Sequence, residues 1–261
     1  METNAIKLLE AKDIVVQFGG LKAINGVNLF VNRGEILGLI GPNGSGKTTF
    51  FNVVTGIYTV TQGDILFQGK SISGKKPQEI ARLGIVRTFQ NSRLWFDLSV
   101  LDNVILGMYM RPRPSSLLTL YNFKKIKEDF RKKAEEALAI LSTFNEELVT
   151  NCYRRASELA LVDRRRVEIC RALAANPQLL LLDEPSAGMD PAETNQLMED
   201  IKKLKQTKED IGIIIIEHDM SVISSIAQRV VVFNFGKKIA EGNFKEIQAN
   251  EEVREAYLGK G

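Results

Sequence analysis

No run in this sequence is apolar for the roughly 18 residues that a bilayer-crossing helix needs, and the first residues, Met1-Glu2-Thr3-Asn4, lack the basic start and apolar stretch of an export signal. The expectation is a protein that stays in the cytoplasm. Cysteine is almost missing: Cys152 and Cys170 stand in different segments without metal-ligand spacing, which argues against a disulfide or zinc site and for buried thiols. An excess of one charge is missing too. Lysine and arginine number 35 against 32 acidic residues, a formal +3, too slight to point to nucleic acid, and no nucleic-acid partner is expected. Internal repeats and low-complexity tails are absent. Histidine occurs once, as His218.

What the sequence does have is the composition of an ordinary folded protein, 44% apolar and 26% charged over 261 residues. One large or two interlocked domains of that size remove roughly 70–75% of the unfolded surface from water. It also has Gly41-Pro42-Asn43-Gly44-Ser45-Gly46-Lys47-Thr48-Thr49. This run follows Glu35 to Ile40, which reads as a buried strand, and precedes Phe50 to Val54, which continues as a helix. Strand, glycine-rich loop and helix in that order make a phosphate-gripping loop. Glycines at 41, 44 and 46 let backbone N–H groups turn inward onto phosphate oxygens, and the helix start adds about half a positive charge. Lys47 is predicted to reach the outer phosphates and Thr48 to offer its hydroxyl to Mg²⁺, with Asn43, Ser45 and Thr49 completing the nucleotide-binding loop.

Leu179 to Leu182 and Ile213 to Ile216 are continuously apolar, as central parallel strands covered on both faces are. Between them Pro191 to Lys208, opened by Asp190 as N-cap, repeats Leu197, Ile201 and Leu204 at helical spacing. Strand, helix, strand implies an α/β protein with a mainly parallel central sheet. Residues 6–17 and the turn-rich stretch from Gly63 to Gly69 read instead as antiparallel strands of a side sheet. From about Leu94 to Ala175 the pattern is nearly all helix: Ser99 to Met110, an exposed connection Arg111-Pro112-Arg113-Pro114-Ser115-Ser116, then the charged amphipathic run Lys124 to Phe144. The expected division is a nucleotide-binding core of 1–93 and 177–261, interrupted by a helical subdomain of 94–176.

Asp183 and Glu184 end the first apolar run, and His218 follows the second by way of Glu217. Ligands of open parallel sheets lie beyond the carboxyl ends of the strands, so these three residues are predicted to share a side with the loop at 41–49. Asp183, nearest the sheet, suits Mg²⁺ directly or through its hydration shell. Glu184 is placed to polarise a water that attacks the γ-phosphate, and His218 offers a donor to that phosphate. Gln90 can supply an amide to metal or water, a weight that rests on the order of the other motifs.

That order, phosphate loop, Gln90, an arginine-rich helix start, Asp183-Glu184, Asp190, His218, resembles the ATP-binding subunit of ABC transporters, over essentially the whole chain. Phe18-Gly19-Gly20-Leu21-Lys22-Ala23, Val86 to Leu94, the long insertion and the ending Ala256-Tyr257-Leu258-Gly259 are similar to the LivG-type subunit of branched-chain amino acid importers. The resemblance implies an ABC-type P-loop NTPase with a RecA-like core, ATP and Mg²⁺ as ligands, and a site at the cytoplasmic face of the cell membrane. It implies a second ATP-binding subunit, two transmembrane permease subunits and, indirectly, an extracytoplasmic amino acid-binding protein as partners. Phe18 would stack on adenine, or else be a strand-end core aromatic. Asp190 would touch the opposite subunit as well as cap its helix. Leu94, Trp95 and Phe96 would meet the membrane subunits, or pack in the core.

One family hallmark is altered. Where the resemblance leads one to expect Leu-Ser-Gly-Gly-Gln, the register gives Leu159-Ala160-Leu161-Val162-Asp163. Ala160 lacks a hydroxyl, Leu161 and Val162 put side chains where backbone should approach phosphate, and Asp163 adds a negative charge. Like charges at about 4 Å and a dielectric near 20 repel by about 4 kcal/mol. The expectation is an asymmetric heterodimer in which the partner's ATP faces this weakened edge. Two other readings stay open: a nucleotide-gated regulatory subunit with little hydrolysis, and the motor of a lipopolysaccharide-type exporter.

Overall fold

The computed structural model describes residues 6–90, 93–111 and 123–258. Asn91 and Ser92, the proline-containing connection from Pro112 to Ser116, Met1 to Asn4 and Gly259 lie outside the described residues. In chain order the elements are β1 (Lys7–Phe18), β2 (Leu21–Asn32), β3 (Ile36–Ile40), α1 (Lys47–Val54), β4 (Gln62–Phe67), β5 (Lys70–Ser71), α2 (Pro77–Leu83) and β6 (Ile85–Arg87). A helical stretch follows: α3 (Val100–Met108), α4 (Phe123–Ser142), α5 (Glu146–Thr150) and α6 (Leu161–Ala174). Then come β7 (Leu179–Asp183), α7 (Pro191–Thr207), β8 (Gly212–Ile216), α8 (Met220–Ile226), β9 (Arg229–Asn234), β10 (Lys237–Gly242), α9 (Phe244–Ala249) and α10 (Glu251–Leu258).

The main sheet has the order β10-β9-β3-β8-β7-β6, with every pairing parallel except β10 with β9. A second, antiparallel sheet has the order β2-β1-β4-β5. The apolar runs foretold the first, and residues 6–17 with the turn-rich stretch Gly63 to Gly69 the second. All five residues of β3, β7 and β8 are buried, and successive side chains go to opposite faces. Leu180, Leu182, Ile213 and Ile215 pack with α3, α4, α6 and α7; Leu179, Leu181, Ile214 and Ile216 pack with α1 and the antiparallel sheet. The sheet is therefore a partition between two cores, and α1 is clamped by Phe50 and Phe51, both fully buried.

The helices begin where their caps put them. Ser99 accepts from the Asp102 backbone N–H at 3.0 Å, and Asp190 accepts from those of Ala192 and Glu193 at 2.8 and 2.9 Å. Cys152 and Cys170 are free and buried, and burial raises the Cys170 thiol pKa. Among the described residues no helix is long and apolar enough to cross a membrane.

Helix α3 lies so close to α6 that a Cβ on Gly107 would stand 2.0 Å from the Arg171 carbonyl oxygen. Alanine is a better helix former than glycine by about 1 kcal/mol, but forcing two packed helices apart costs about 1–3 kcal/mol. Gly107→Ala is therefore expected to lower unfolding free energy in urea by about 1–3 kcal/mol; a gain in stability would contradict this packing.

Candidate active site

After β3 the chain turns back beneath the end of β9. A Cβ on Gly41 would stand 2.1 Å from the Phe233 carbonyl oxygen, and one on Gly46 (φ +106°) 2.8 Å from that of Ala23, so the loop is shaped by contacts that a side chain would break. Gly46 leads into α1, accepting the Phe50 N–H at 2.8 Å. Ser45 is buried and its hydroxyl has no hydrogen-bond partner. Lys47, also buried, donates from Nζ to the carbonyls of Gly41 (2.7 Å) and Pro42 (3.0 Å). Burial lowers its pKa, while Glu184 and Asp183 act in the opposite direction. The loop, with Asn43, Gly44, Thr48 and Thr49, lines a cavity of about 460 Å³ that Phe18, Glu184, His218 and Phe235 share. An orphaned hydroxyl, a buried ammonium and a helix N-terminus on one cavity form a donor set that fits a polyphosphate.

Three strand ends meet at one carboxylate. Glu184 follows β7 in a left-handed backbone conformation, φ +48°, which costs a non-glycine residue about 1–3 kcal/mol and persists only where the surroundings enforce it. Its Oε1 lies 2.7 Å from Nε2 of His218, after β8, and its Oε2 accepts from Nε2 of Gln90, after β6, at 2.7 Å. Asp183, at the end of β7, pairs through Oδ2 with Arg87 of β6; Arg87 also donates to Asn52 Oδ1 at 2.6 Å and lies over the rings of Phe51 and Phe89. Both members of that pair are buried. By bonding Asn52 as well as Asp183, Arg87 ties α1 to the end of β7.

Helix α6 grips the Gln90 segment at both ends. Arg165 donates to the carbonyl of Gln90 at 2.7 Å and to that of Phe89 at 3.3 Å; Glu168 accepts the Arg93 N–H at 2.8 Å, and Arg171 donates to the Arg93 carbonyl. Glu217, beside His218, accepts from the N–H (2.9 Å) and hydroxyl (2.7 Å) of Ser186, locking the segments after β7 and β8 together. Burial raises its carboxyl pKa, with the Glu184 charge acting in the same direction. The sequence reading gave Arg87, Arg165 and Glu217 no role. For Arg87 and Glu217 the available signal was a charge within or directly after a buried apolar strand, which requires a partner; Arg165, on α6, carried no such signal.

Several expectations change in detail. Phe18 is half-exposed on the cavity, edge-on to Tyr58 at 5.1 Å, and is not a core aromatic. Leu94 is buried in the core, whereas Trp95 and Phe96 are exposed, so the three do not act as one surface. Val162 is buried rather than projecting outward, and Asp163 is paired with Arg166 at 2.8 Å, so its charge is not the bare repulsive one expected. Arg166 in turn holds buried Asp200 at 2.7 and 2.9 Å. Ala160 is the N-cap of α6, which starts without a side-chain cap.

Fold and site define a P-loop nucleotide hydrolase. A family model for the ABC transporter matches residues 24–187, and one for the branched-chain amino acid ATP-binding cassette transporter matches 237–261. The high-affinity branched-chain amino acid transport ATP-binding protein LivG of Escherichia coli (strain K12) is 40% identical over 97% of this chain and 98% of its own length. The probable branched-chain amino acid transport ATP-binding protein LivG of Methanocaldococcus jannaschii is 34% identical over 98% of this chain and 99% of its own length. The crystal structure of a nucleotide-free ATP-binding cassette from an ABC transporter superposes with a TM-score of 0.83 at 35% identity, covering 97% of this chain and 100% of that one. The chain belongs to the ABC transporter family as an ATP-binding, ATP-hydrolysing subunit.

The raised Glu217 pKa has a defined consequence for stability. Between the ordinary glutamate value of 4.5 and the higher folded value, the folded state holds a proton that the unfolded state has lost, so stability falls as pH rises. Glu217→Gln keeps an acceptor for Ser186 and removes the titration. Its stability relative to the wild type is expected to increase with pH through that window in urea melts; a difference that is flat or decreasing would contradict the assignment.

Proposed function

We propose that this chain is a motor subunit at the cytoplasmic face of the cell membrane, powering uptake of branched-chain or other hydrophobic amino acids. The observation that carries the motor reading is the carboxylate of Glu184, held between His218 and Gln90 on the cavity lined by Lys47 and the phosphate loop. The cargo is supported by the names of the relatives, branched-chain amino acid transport ATP-binding proteins. Two transmembrane permease subunits, an extracytoplasmic amino acid-binding protein and a second ATP-binding subunit complete the assembly. The chain divides functionally into a nucleotide-binding core, 1–93 and 177–261, and a helical insertion, 94–176.

In the reaction, water attacks the γ-phosphorus in line, the bond to the β,γ-bridging oxygen breaks, and ADP and phosphate result. Glu184 orients the water and takes its proton; His218 donates to a γ-phosphate oxygen. Lys47 exchanges its two carbonyl acceptors for phosphate oxygens, which bear far more negative charge. Gly41, Asn43, Gly44, Ser45, Gly46, Thr48 and Thr49 hold the phosphates, and Phe18 stacks on the base. Thr48, Gln90 and Asp183 would hold Mg²⁺, with Asp183 free at Oδ1 because Arg87 takes Oδ2. The metal supplies neutralisation of phosphate charge.

The uncapped α6 start at Ala160 favours an asymmetric heterodimer, in which the partner's nucleotide meets this weaker edge. The same feature favours, as a second reading, a regulatory subunit with little hydrolysis. Glu184→Gln is expected to retain Mg·ATP binding while turnover in the assembled complex falls by about 10²–10⁴-fold. Unchanged phosphate release would remove Glu184 from this role. Brisk turnover by the pure homodimer would discard the asymmetric arrangement.

A further inference from the structure

The turn joining β9 to β10 has Phe235 at φ +43° followed by Gly236 at φ +74°. Two successive positive φ values between antiparallel strands make a tight turn that favours asparagine, aspartate or glycine at both places, and a bulky aromatic fits the first poorly. Burial does not offset that strain, since Phe235 is 86% exposed. Nor does the turn float. The Gly236 N–H donates to the Ser45 carbonyl at 3.0 Å, its carbonyl accepts from the Asn25 N–H at 2.8 Å, and a Cβ there would stand 2.7 Å from the Ala23 carbonyl oxygen. A strained turn is thus fixed against the phosphate loop, and its exposed Phe235 lines the cavity that Phe18 also lines.

We propose that Phe235 is a second aromatic wall for the nucleotide base, so that a purine lies between Phe18 and Phe235. The proposal rests on the reading of this cavity as the ATP site and deepens it. Phe18, Leu21, Ala23 and Phe235 are the apolar side chains lining the cavity, and aromatic faces recognise a base by stacking rather than by hydrogen-bond pattern. Two such walls favour the larger face of a purine over a pyrimidine. They add nothing for a triphosphate without a base. Strain at a residue that gains no packing of its own is what a binding surface held ready for a ligand shows.

The test is calorimetry on the full chain with Phe235→Asn, a substitution suited to the turn and expected to fold at least as stably as the wild type. Mg·ATP should bind about tenfold more weakly, the preference for ATP over CTP should narrow, and Mg·tripolyphosphate should bind within about twofold of wild type. An unchanged Kd for Mg·ATP overturns the proposal. So does an equal weakening of tripolyphosphate, which would place the effect in the turn's grip on the phosphate loop. Failure of the wild type to bind Mg·ATP overturns the ATPase reading as well, and is distinguished by needing no variant.

Discussion

The backbone of Gly41 passes so close to the Phe233 carbonyl that no side chain fits between them, and the geometry of the nucleotide site follows from that contact. It holds the loop after β3 against the end of β9, while Gly236 and Ala23 hold its other side. With the loop fixed, Lys47 is buried with its ammonium donating to the Gly41 and Pro42 carbonyls, and Ser45 keeps a hydroxyl without a partner among the described residues. Buried donors of that kind are costly unless an acceptor is supplied, and a phosphate supplies it. The parallel sheet does the rest, because β6, β7 and β8 end on the same side and deliver Gln90, Glu184 and His218 to one point.

The link between the site and the helices that separate β6 from β7 has an equally concrete form. Arg165, Glu168 and Arg171, on one helix, hold both ends of the segment that carries Gln90. Exposed Trp95 and Phe96 continue that segment. Charge-assisted hydrogen bonds therefore link α6 to Gln90, and Gln90 in turn donates to Glu184. Arg166 pairs with Asp163 within α6 and with Asp200 of α7, so the second pair ties the two helices together.

The sequence made the fold readable where the signal was local: continuous apolar runs for β7 and β8, Asp190 as a cap, glycine spacing for the phosphate loop. Asp183, Glu184 and His218 could be placed because strand ends in a parallel sheet share a side. What stayed hidden depended on partners far along the chain. Nothing near Arg87 names Asn52 or Asp183, and nothing near Glu217 names Ser186. Neighbouring residues also parted company, Leu94 inward and Trp95 outward, and the charge expected at Asp163 was matched by Arg166 three residues on. The strain at Glu184 and Phe235 is invisible in a sequence, since backbone angles there are imposed by the tertiary structure.

The central claim is that Lys47 gives up its loop carbonyls to a bound triphosphate. Titration calorimetry of Mg·ATP into the wild type and Lys47→Ala addresses it directly. Saturable binding by the wild type that Lys47→Ala abolishes, with the fold intact by circular dichroism, is the predicted result; equal affinity in the two proteins would contradict the account.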